Sequence, residues 1–208
     1  MTLIAGVDEA GKGPVVGPMC VGGVLTTDVG RLKKLGVDDS KKLTPKKREK
    51  LSEQIKNIAD KTFVLEVSAA QIDEFRKAMT MNVVMVICFA RVLKELKPEF
   101  AYLDAADVKP ERFGRLVGEK YGHKIEIISE HHADQKYPVV SAASIIAKVK
   151  RDALVKELSM KMGLLIGSGY PSDPKTKRFL EDWIHSHKEF PPFVRKSWKT
   201  VSKYGKSK

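Results

Sequence analysis

The sequence predicts an α/β fold, a mixed five-stranded sheet flanked by helices, with a helical region at its C-terminal end. Three observations carry this reading. Two apolar segments, residues 3–7 and 19–26, come first, with only a glycine-containing turn between them. Strand and helix patterns then alternate, with strands at residues 62–67, 100–103 and 124–128. Beyond about residue 142 the patterns are helical only. The expected division is therefore a sheet-bearing domain over residues 1–141 and a helical region over residues 142–208.

Each element has a local reason. Residues 3–7 read as a short buried strand ended by Asp8 and Glu9. Gly11, Gly13 and Pro14 form a turn, so the strand at 19–26 can return as a hairpin partner. Thr44 followed by Pro45 has the form of an N-cap with proline in the first helical position, and Leu51, Ile55 and Ile58 follow at helical spacing. Phe63, Leu65 and Val67 alternate with the period of a strand. Ser68 and Gln71 stand at capping-box spacing and open a helix bearing Ile72 and Phe75. Residues 82–96 are helical, and the apolar density of 83–90 predicts deep burial. Residues 100–103 form a strand that runs into Asp104. Residues 110–121 form a helix stopped by Gly122. A long helix over 139–162 ends at Gly163, and Asp173 with Pro174 caps a helix carrying Phe179, Leu180, Trp183 and Ile184. The basic tail, 202–208, is expected to be disordered.

Composition narrows the class. Hydrophobic residues make up 42% of the 208 and charged residues 31%, which supports a folded core and excludes a disordered chain. Lys plus Arg number 38 and Asp plus Glu 26, a net charge of +12. Such a surplus points to an anionic partner, nucleic acid being the commonest polyanion; the alternative is a protein that is simply basic. Cys20 and Cys88 each lie in apolar runs, as buried thiols do, with no zinc-ligand spacing and no disulfide framework. A reducing compartment fits. The N-terminus lacks a basic signal-peptide region, and the longest apolar run is far short of the ~20 residues that span a bilayer. A cytoplasmic protein without membrane contact is expected.

Four acids stand at the ends of apolar segments: Asp8, Glu9, Asp104 and Asp134. A lone acid after a strand is usually a cap or turn former, the role expected of Asp107 and Asp173. Asp8 with Glu9 is different, because two adjacent like charges flush against a buried strand cost free energy with no evident structural return. Divalent cations relieve that cost, and Mg²⁺ favours carboxylate oxygens. A pair of such ions can serve phosphoryl displacement. The turn Gly11-Lys12-Gly13-Pro14 follows the acid pair. It is neither a Walker A loop nor a dinucleotide fingerprint. Either it is an ordinary hairpin turn with a solvated lysine, or it lets backbone approach a ligand closely while Lys12 offers a point charge to phosphate.

At this point the residues resemble a family. Gly6-Val7-Asp8-Glu9-Ala10-Gly11-Lys12-Gly13-Pro14 closely resembles the opening motif of ribonuclease HII. Asp39-Ser40-Lys41-Lys42-Leu43, Asp104-Ala105, the run from Ala133-Asp134-Gln135 to Ala147-Lys148, Arg151-Asp152 and Gly167-Ser168-Gly169-Tyr170-Pro171 continue the resemblance in order. Val194-Arg195-Lys196-Ser197-Trp198 gives it an archaeal flavour.

The resemblance implies a ribonuclease H-like fold and an endonuclease acting on RNA–DNA hybrids and on duplex DNA with embedded ribonucleotides. It implies two divalent ions, Mg²⁺ or Mn²⁺, held by Asp8, Glu9, Asp104 and Asp134. It assigns Gly11, Lys12 and Gly13 to grip around the ribonucleotide 2′-OH, Tyr170 to sensing the junction with deoxyribonucleotide, and Lys41 to substrate binding. Many members carry arginine where this chain has Lys12, so the planar fork is lost there. The segment Asn82-Val83-Val84-Met85 departs from the more polar family pattern. A monomer is expected. A sliding clamp is a possible partner, although no clamp-binding motif of the glutamine-plus-aromatic type stands near the C-terminus.

The other basic groups, Lys148-Lys150-Arg151, Lys46-Lys47-Arg48 and Lys196 to Lys203, read either as solvated faces or as phosphate contacts. His131 and His132 lack partners at zinc-ligand spacing. Two competing readings are a non-catalytic hybrid-binding module, which a missing acid would favour, and a resolvase- or integrase-like nuclease. All four acids are present, and the glycine turn and Tyr170 argue against the latter.

Overall fold

A computed structural model describes residues 2–37 and 43–204. Five strands, β1 (Ile4–Ala10), β2 (Met19–Thr26), β3 (Lys61–Val67), β4 (Phe100–Asp104) and β5 (Glu126–Glu130), form one sheet in the order β3-β2-β1-β4-β5. β1 pairs antiparallel with β2 and parallel with β4, and β4 pairs parallel with β5. The sheet is mixed, as the element order predicts.

The helices are α1 (Val29–Lys34), α2 (Pro45–Ile58), α3 (Ala69–Ala78), α4 (Met81–Leu96), α5 (Pro110–Tyr121), α6 (Ala133–Lys136), α7 (Pro138–Met162), α8 (Pro174–Ser186) and α9 (Lys199–Tyr204). Local chemistry sets several of their ends. The Thr44 hydroxyl accepts the Lys47 amide at the start of α2, Ser68 and Gln71 form the reciprocal capping box of α3, and Gly122 closes α5 in the left-handed region. None of the helices of the described residues is long and apolar enough to cross a membrane.

Several boundaries differ from the sequence reading. Asp8 and Glu9 do not end β1; they lie inside it, paired in register with Gly22 and Val21 of β2. Ladder pairing, not side-chain polarity, decides where that strand stops. β5 begins at Glu126, where register with Phe100 of β4 begins. Val83 is 45% exposed although its neighbours Val84, Met85 and Val86 are buried, because helical rotation turns it off the packed face. Residues 202–204, expected in a disordered tail, belong to α9, whose Val201 and Tyr204 join an apolar cluster. The short helices α1, α6 and α9 carry too few residues for a periodic signal.

The chain forms two compact units, each discontinuous in sequence: Met1–Ala10, Cys20–Leu65 and Met81–Lys150 in the first, Gly11–Met19, Glu66–Thr80 and Arg151–Lys208 in the second. A single division, at 141/142, is what the sequence pattern leads one to expect. Here the division in that part of the chain falls within α7, after Lys150, because the first turns of α7 pack on the sheet.

In the first unit, helices cover both faces of the sheet. A Cβ at Gly22 would strike Ala143 and Ala147 of α7, while one at Gly23 would strike Val92 and Leu96 of α4. Successive strand residues face opposite sides, so α7 and α4 lie on opposite faces. The α7 side holds Val24, Leu32, Ile55, Val140 and Ile146 in one core. In the second unit, Val15, Val16, Ile166, Phe179, Leu180 and Val194 form a separate core.

Gly6 of β1 lies directly under the first turn of α7, and a Cβ there would overlap backbone atoms of Val139 and Val140. Backbone cannot yield as a side-chain tip can, and overpacking of this kind typically costs about 1–3 kcal/mol or more. Gly6→Ala is therefore expected to lower Tm by several degrees, about 2–4 °C for each kcal/mol in a chain of this size. Thermal unfolding followed by circular dichroism checks it, and an unchanged Tm would show that α7 is not seated on β1 as described.

Candidate active site

The sheet brings three acids together. Val7 of β1 is in parallel register with Leu103 of β4, so Asp8 and Asp104 come next on neighbouring strands. One carboxylate oxygen each from Asp8, Glu9 and Asp104 lies within 4.8 Å of the other two. Asp8 is buried and the other two are half-buried. Asp104 Oδ1 accepts a hydrogen bond from the Ala133 amide, 2.8 Å, at the start of α6. Asp134, buried, is the next residue of that helix. It follows the residue whose amide holds Asp104 and lies outside the three-acid set.

Burial pushes the Asp8 carboxyl well above the usual carboxylate range, and the negative charges of Glu9 and Asp104 push it the same way. Two hydrogen bonds oppose the shift, from the Ser144 hydroxyl and from the Glu9 amide, the latter at 2.6 Å. Ser144 belongs to α7, and no spacing in the sequence singles it out. The donor set is all carboxylate oxygen, which fits a hard divalent cation such as Mg²⁺ or Mn²⁺. His131 is exposed with Nε2 3.2 Å from the Val108 carbonyl oxygen, and exposed His132 precedes α6 in the left-handed region; neither belongs to the acid set. Asp107 and Asp173 have the turn and cap roles expected of them. Asp107 accepts the Lys109 amide at 3.3 Å and pairs with Arg112 at 2.6 Å, and Asp173 accepts the Lys175 amide at 2.9 Å to open α8.

The second unit holds the glycine turn. Gly11 has φ +91°, Lys12 is half-buried and Gly13 is exposed with nothing within 4 Å of where a Cβ would stand. Arg195, fully buried, holds this turn from beneath. Its guanidinium donates to the carbonyl oxygens of Gly11 (2.7 Å), Lys12 (2.9 Å) and Gly17 (3.0 and 3.1 Å). The Val15 and Val16 amides donate to the Gly169 carbonyl oxygen, which ties the turn to the loop carrying Tyr170.

Tyr170 is half-buried, its ring 5.0 Å from the guanidinium carbon of Arg151. Arg151 is 1% exposed, so it is neither a solvated face nor a phosphate contact. A signal for this existed. Ala143, Ala147, Arg151 and Val155 recur at fourfold spacing, and all four are buried, so Arg151 lies on an apolar stripe. Arg195 carried no comparable signal. Lys41 lies outside the described residues.

A mixed sheet with helices on both faces and a carboxylate cluster at its centre defines a metal-dependent nuclease of the ribonuclease H type. A family model for ribonuclease HII matches residues 5–201. Ribonuclease HII of Methanosarcina barkeri is 61% identical, with 96% of this chain and 93% of that protein aligned. The crystal structure of ribonuclease H2 from Pyrococcus horikoshii OT3 superposes with a TM-score of 0.91 at 44% identity, covering 98% of this chain and 97% of that one. The ribonuclease HII in the PCNA complex from Archaeoglobus fulgidus superposes with a TM-score of 0.89 at 49% identity over 95% of each chain. The chain belongs to the ribonuclease HII family, whose members cleave the RNA of RNA–DNA hybrids.

The raised Asp8 carboxyl has a consequence for the metal-free protein. Between the unfolded pKa, about 3.8, and the higher folded value, the native state holds more protons than the unfolded state. Stability contributed by Asp8 therefore falls as pH rises through that window and stays lost above it. Asp8→Asn removes the charge, so in chelator it should melt higher than the wild type at neutral pH, with the gap closing toward pH 4. Calorimetry of both proteins across pH measures the gap. A lower Tm for Asp8→Asn at every pH would refute the claim that this charge strains the fold.

Proposed function

We propose that the protein hydrolyses the RNA strand of RNA–DNA hybrids and nicks duplex DNA at embedded ribonucleotides, leaving 5′-phosphate and 3′-hydroxyl ends. The observation that carries this is the cluster of Asp8, Glu9 and Asp104, whose Asp104 accepts the amide of Ala133, the residue before Asp134 on α6. In this reading all four acids hold two divalent cations, Mg²⁺ or Mn²⁺. When bound, such ions neutralise the phosphate, lower the pKa of the attacking water and stabilise the leaving 3′-oxygen.

The chain's own residues prepare that chemistry. Ser144 orients the Asp8 carboxylate through its hydrogen bond, and the Ala133 amide orients Asp104. Gly13, with no side chain above its backbone, lets peptide groups reach the ribonucleotide 2′-OH. Lys12 and Lys41 supply point charges to the backbone phosphates. Tyr170 packs on the sugar beyond the scissile bond, where a missing 2′-OH marks the junction. The net charge of +12 supports a polyanionic substrate and predicts salt-sensitive affinity. The protein is read as a cytoplasmic monomer. The complex of an Archaeoglobus fulgidus relative with PCNA favours a sliding clamp as a partner here too.

The test is a nicking assay on duplex DNA holding one ribonucleotide, with and without Mg²⁺. Cleavage should require the metal. Asp8→Asn and Asp134→Asn should each abolish it while hybrid binding persists. Near-normal turnover by either variant would remove that acid from the assignment. Tyr170→Ala should slow the single-ribonucleotide substrate more than a long RNA–DNA hybrid, since aromatic–nucleotide stacking is typically worth ~1–3 kcal/mol. Equal losses at unchanged Tm would count against junction sensing.

A further inference from the structure

The buried guanidinium of Arg151 has no assigned role, and its surroundings are unusual for a packing residue. Its Nη2 donates to the Ser168 carbonyl oxygen at 2.8 Å. Its guanidinium carbon lies over the Tyr170 ring, 5.0 Å from the centroid. Its Nη1 is 3.5 Å from Asp152 Oδ1, a long contact to a half-exposed carboxylate. Its Nε is buried and makes no hydrogen bond. Two glycines of the recognition loops touch it. A Cβ at Gly11 would sit 2.7 Å from Nε and 2.8 Å from Cδ, and one at Gly169 would sit 3.0 Å from Nη2.

A buried cation with an unsatisfied N–H costs stability, and Leu or Met would pack the same space at lower cost. What an apolar side chain cannot do is hold a carbonyl and an aromatic face at once. A lysine could reach one of them, but its ammonium has no plane to lay against a ring. The guanidinium does both, and it does so against Gly11 and under Tyr170. Both loops therefore have one group as a common stop.

We propose that Arg151 is the positioning residue for junction recognition, setting the height and tilt of the Tyr170 ring relative to the Gly11 turn. It touches no substrate and acts through Tyr170. This rests on the reading of Tyr170 as the junction sensor.

A double-mutant cycle tests it on the full chain with Mg²⁺. Wild type, Arg151→Lys, Arg151→Leu, Tyr170→Ala and the two double variants are compared on two substrates, duplex DNA with one ribonucleotide and a long RNA–DNA hybrid. The readout is the ratio of kcat/KM between substrates, with Tm measured for each protein. In the Tyr170 background both Arg151 variants should lower the ratio, by about tenfold for Leu and less for Lys, and in the Tyr170→Ala background they should lower it no further. Losses on both substrates alike, with the ratio kept, would make Arg151 a structural residue and overturn the inference. If Tyr170→Ala shifts the ratio and the Arg151 variants do not, the inference alone falls. If Tyr170→Ala leaves the ratio unchanged, junction sensing itself falls, and the inference with it. Should Arg151→Leu fail to fold, Arg151→Lys and Arg151→Gln complete the same cycle.

Discussion

The seat of α7 on the two central strands is the contact on which the site depends. Gly6 and Gly22 leave no side chain between strand and helix, and α7 answers with Ala143 and Ala147. That contact brings Ser144 to Asp8. Larger residues at any of these positions would lift the helix and remove a hydrogen bond from the acid least able to spare it. The same continuous helix carries Arg151 in its later turns, where the second unit begins. One element thus supplies support to the acids and to the glycine-containing loops, each within its own unit.

The acid cluster illustrates a trade between stability and chemistry. Parallel pairing of β1 with β4 puts Asp8 next to Asp104, and Glu9 adds a third charge. Three carboxylates this close repel one another. Desolvation and mutual repulsion raise the Asp8 carboxyl, and only two hydrogen bonds resist. Such an arrangement is intelligible as one completed by cations, whose binding would relieve the repulsion among the carboxylates.

The second unit solves a different problem, that of holding loops rigid. The Gly11-Lys12-Gly13 turn and the Tyr170 loop contain several glycines, which are conformationally permissive. Two buried arginines supply the missing constraint. Arg195 gathers the carbonyl oxygens of Gly11, Lys12 and Gly17, and Arg151 holds the Ser168 carbonyl oxygen beneath Tyr170. Guanidinium suits both tasks because its donors lie in a fixed plane. With those carbonyl oxygens gathered by Arg195, Gly13 stays exposed, with nothing within 4 Å of where a Cβ would stand.

By itself the sequence determined what depends on neighbours along the chain. Caps at Thr44, Ser68 and Asp173 and the stop at Gly122 follow from local hydrogen bonding and backbone freedom, and they stand where their residue types place them. The five strands and the candidate acids were legible for the same reason, and the ordered motifs pointed to the family. Tertiary structure alone decided what depends on partners far away in sequence. β1 runs through Asp8 and Glu9 because β2 pairs with them, and Asp8 meets Asp104 because β4 lies alongside. Arg195 carries no local sign of burial and Arg151 only its place on an apolar stripe, since an arginine's partners are set by which distant carbonyl groups need donors. Local pattern encodes periodicity and capping; it does not encode which remote backbone group is left to be satisfied.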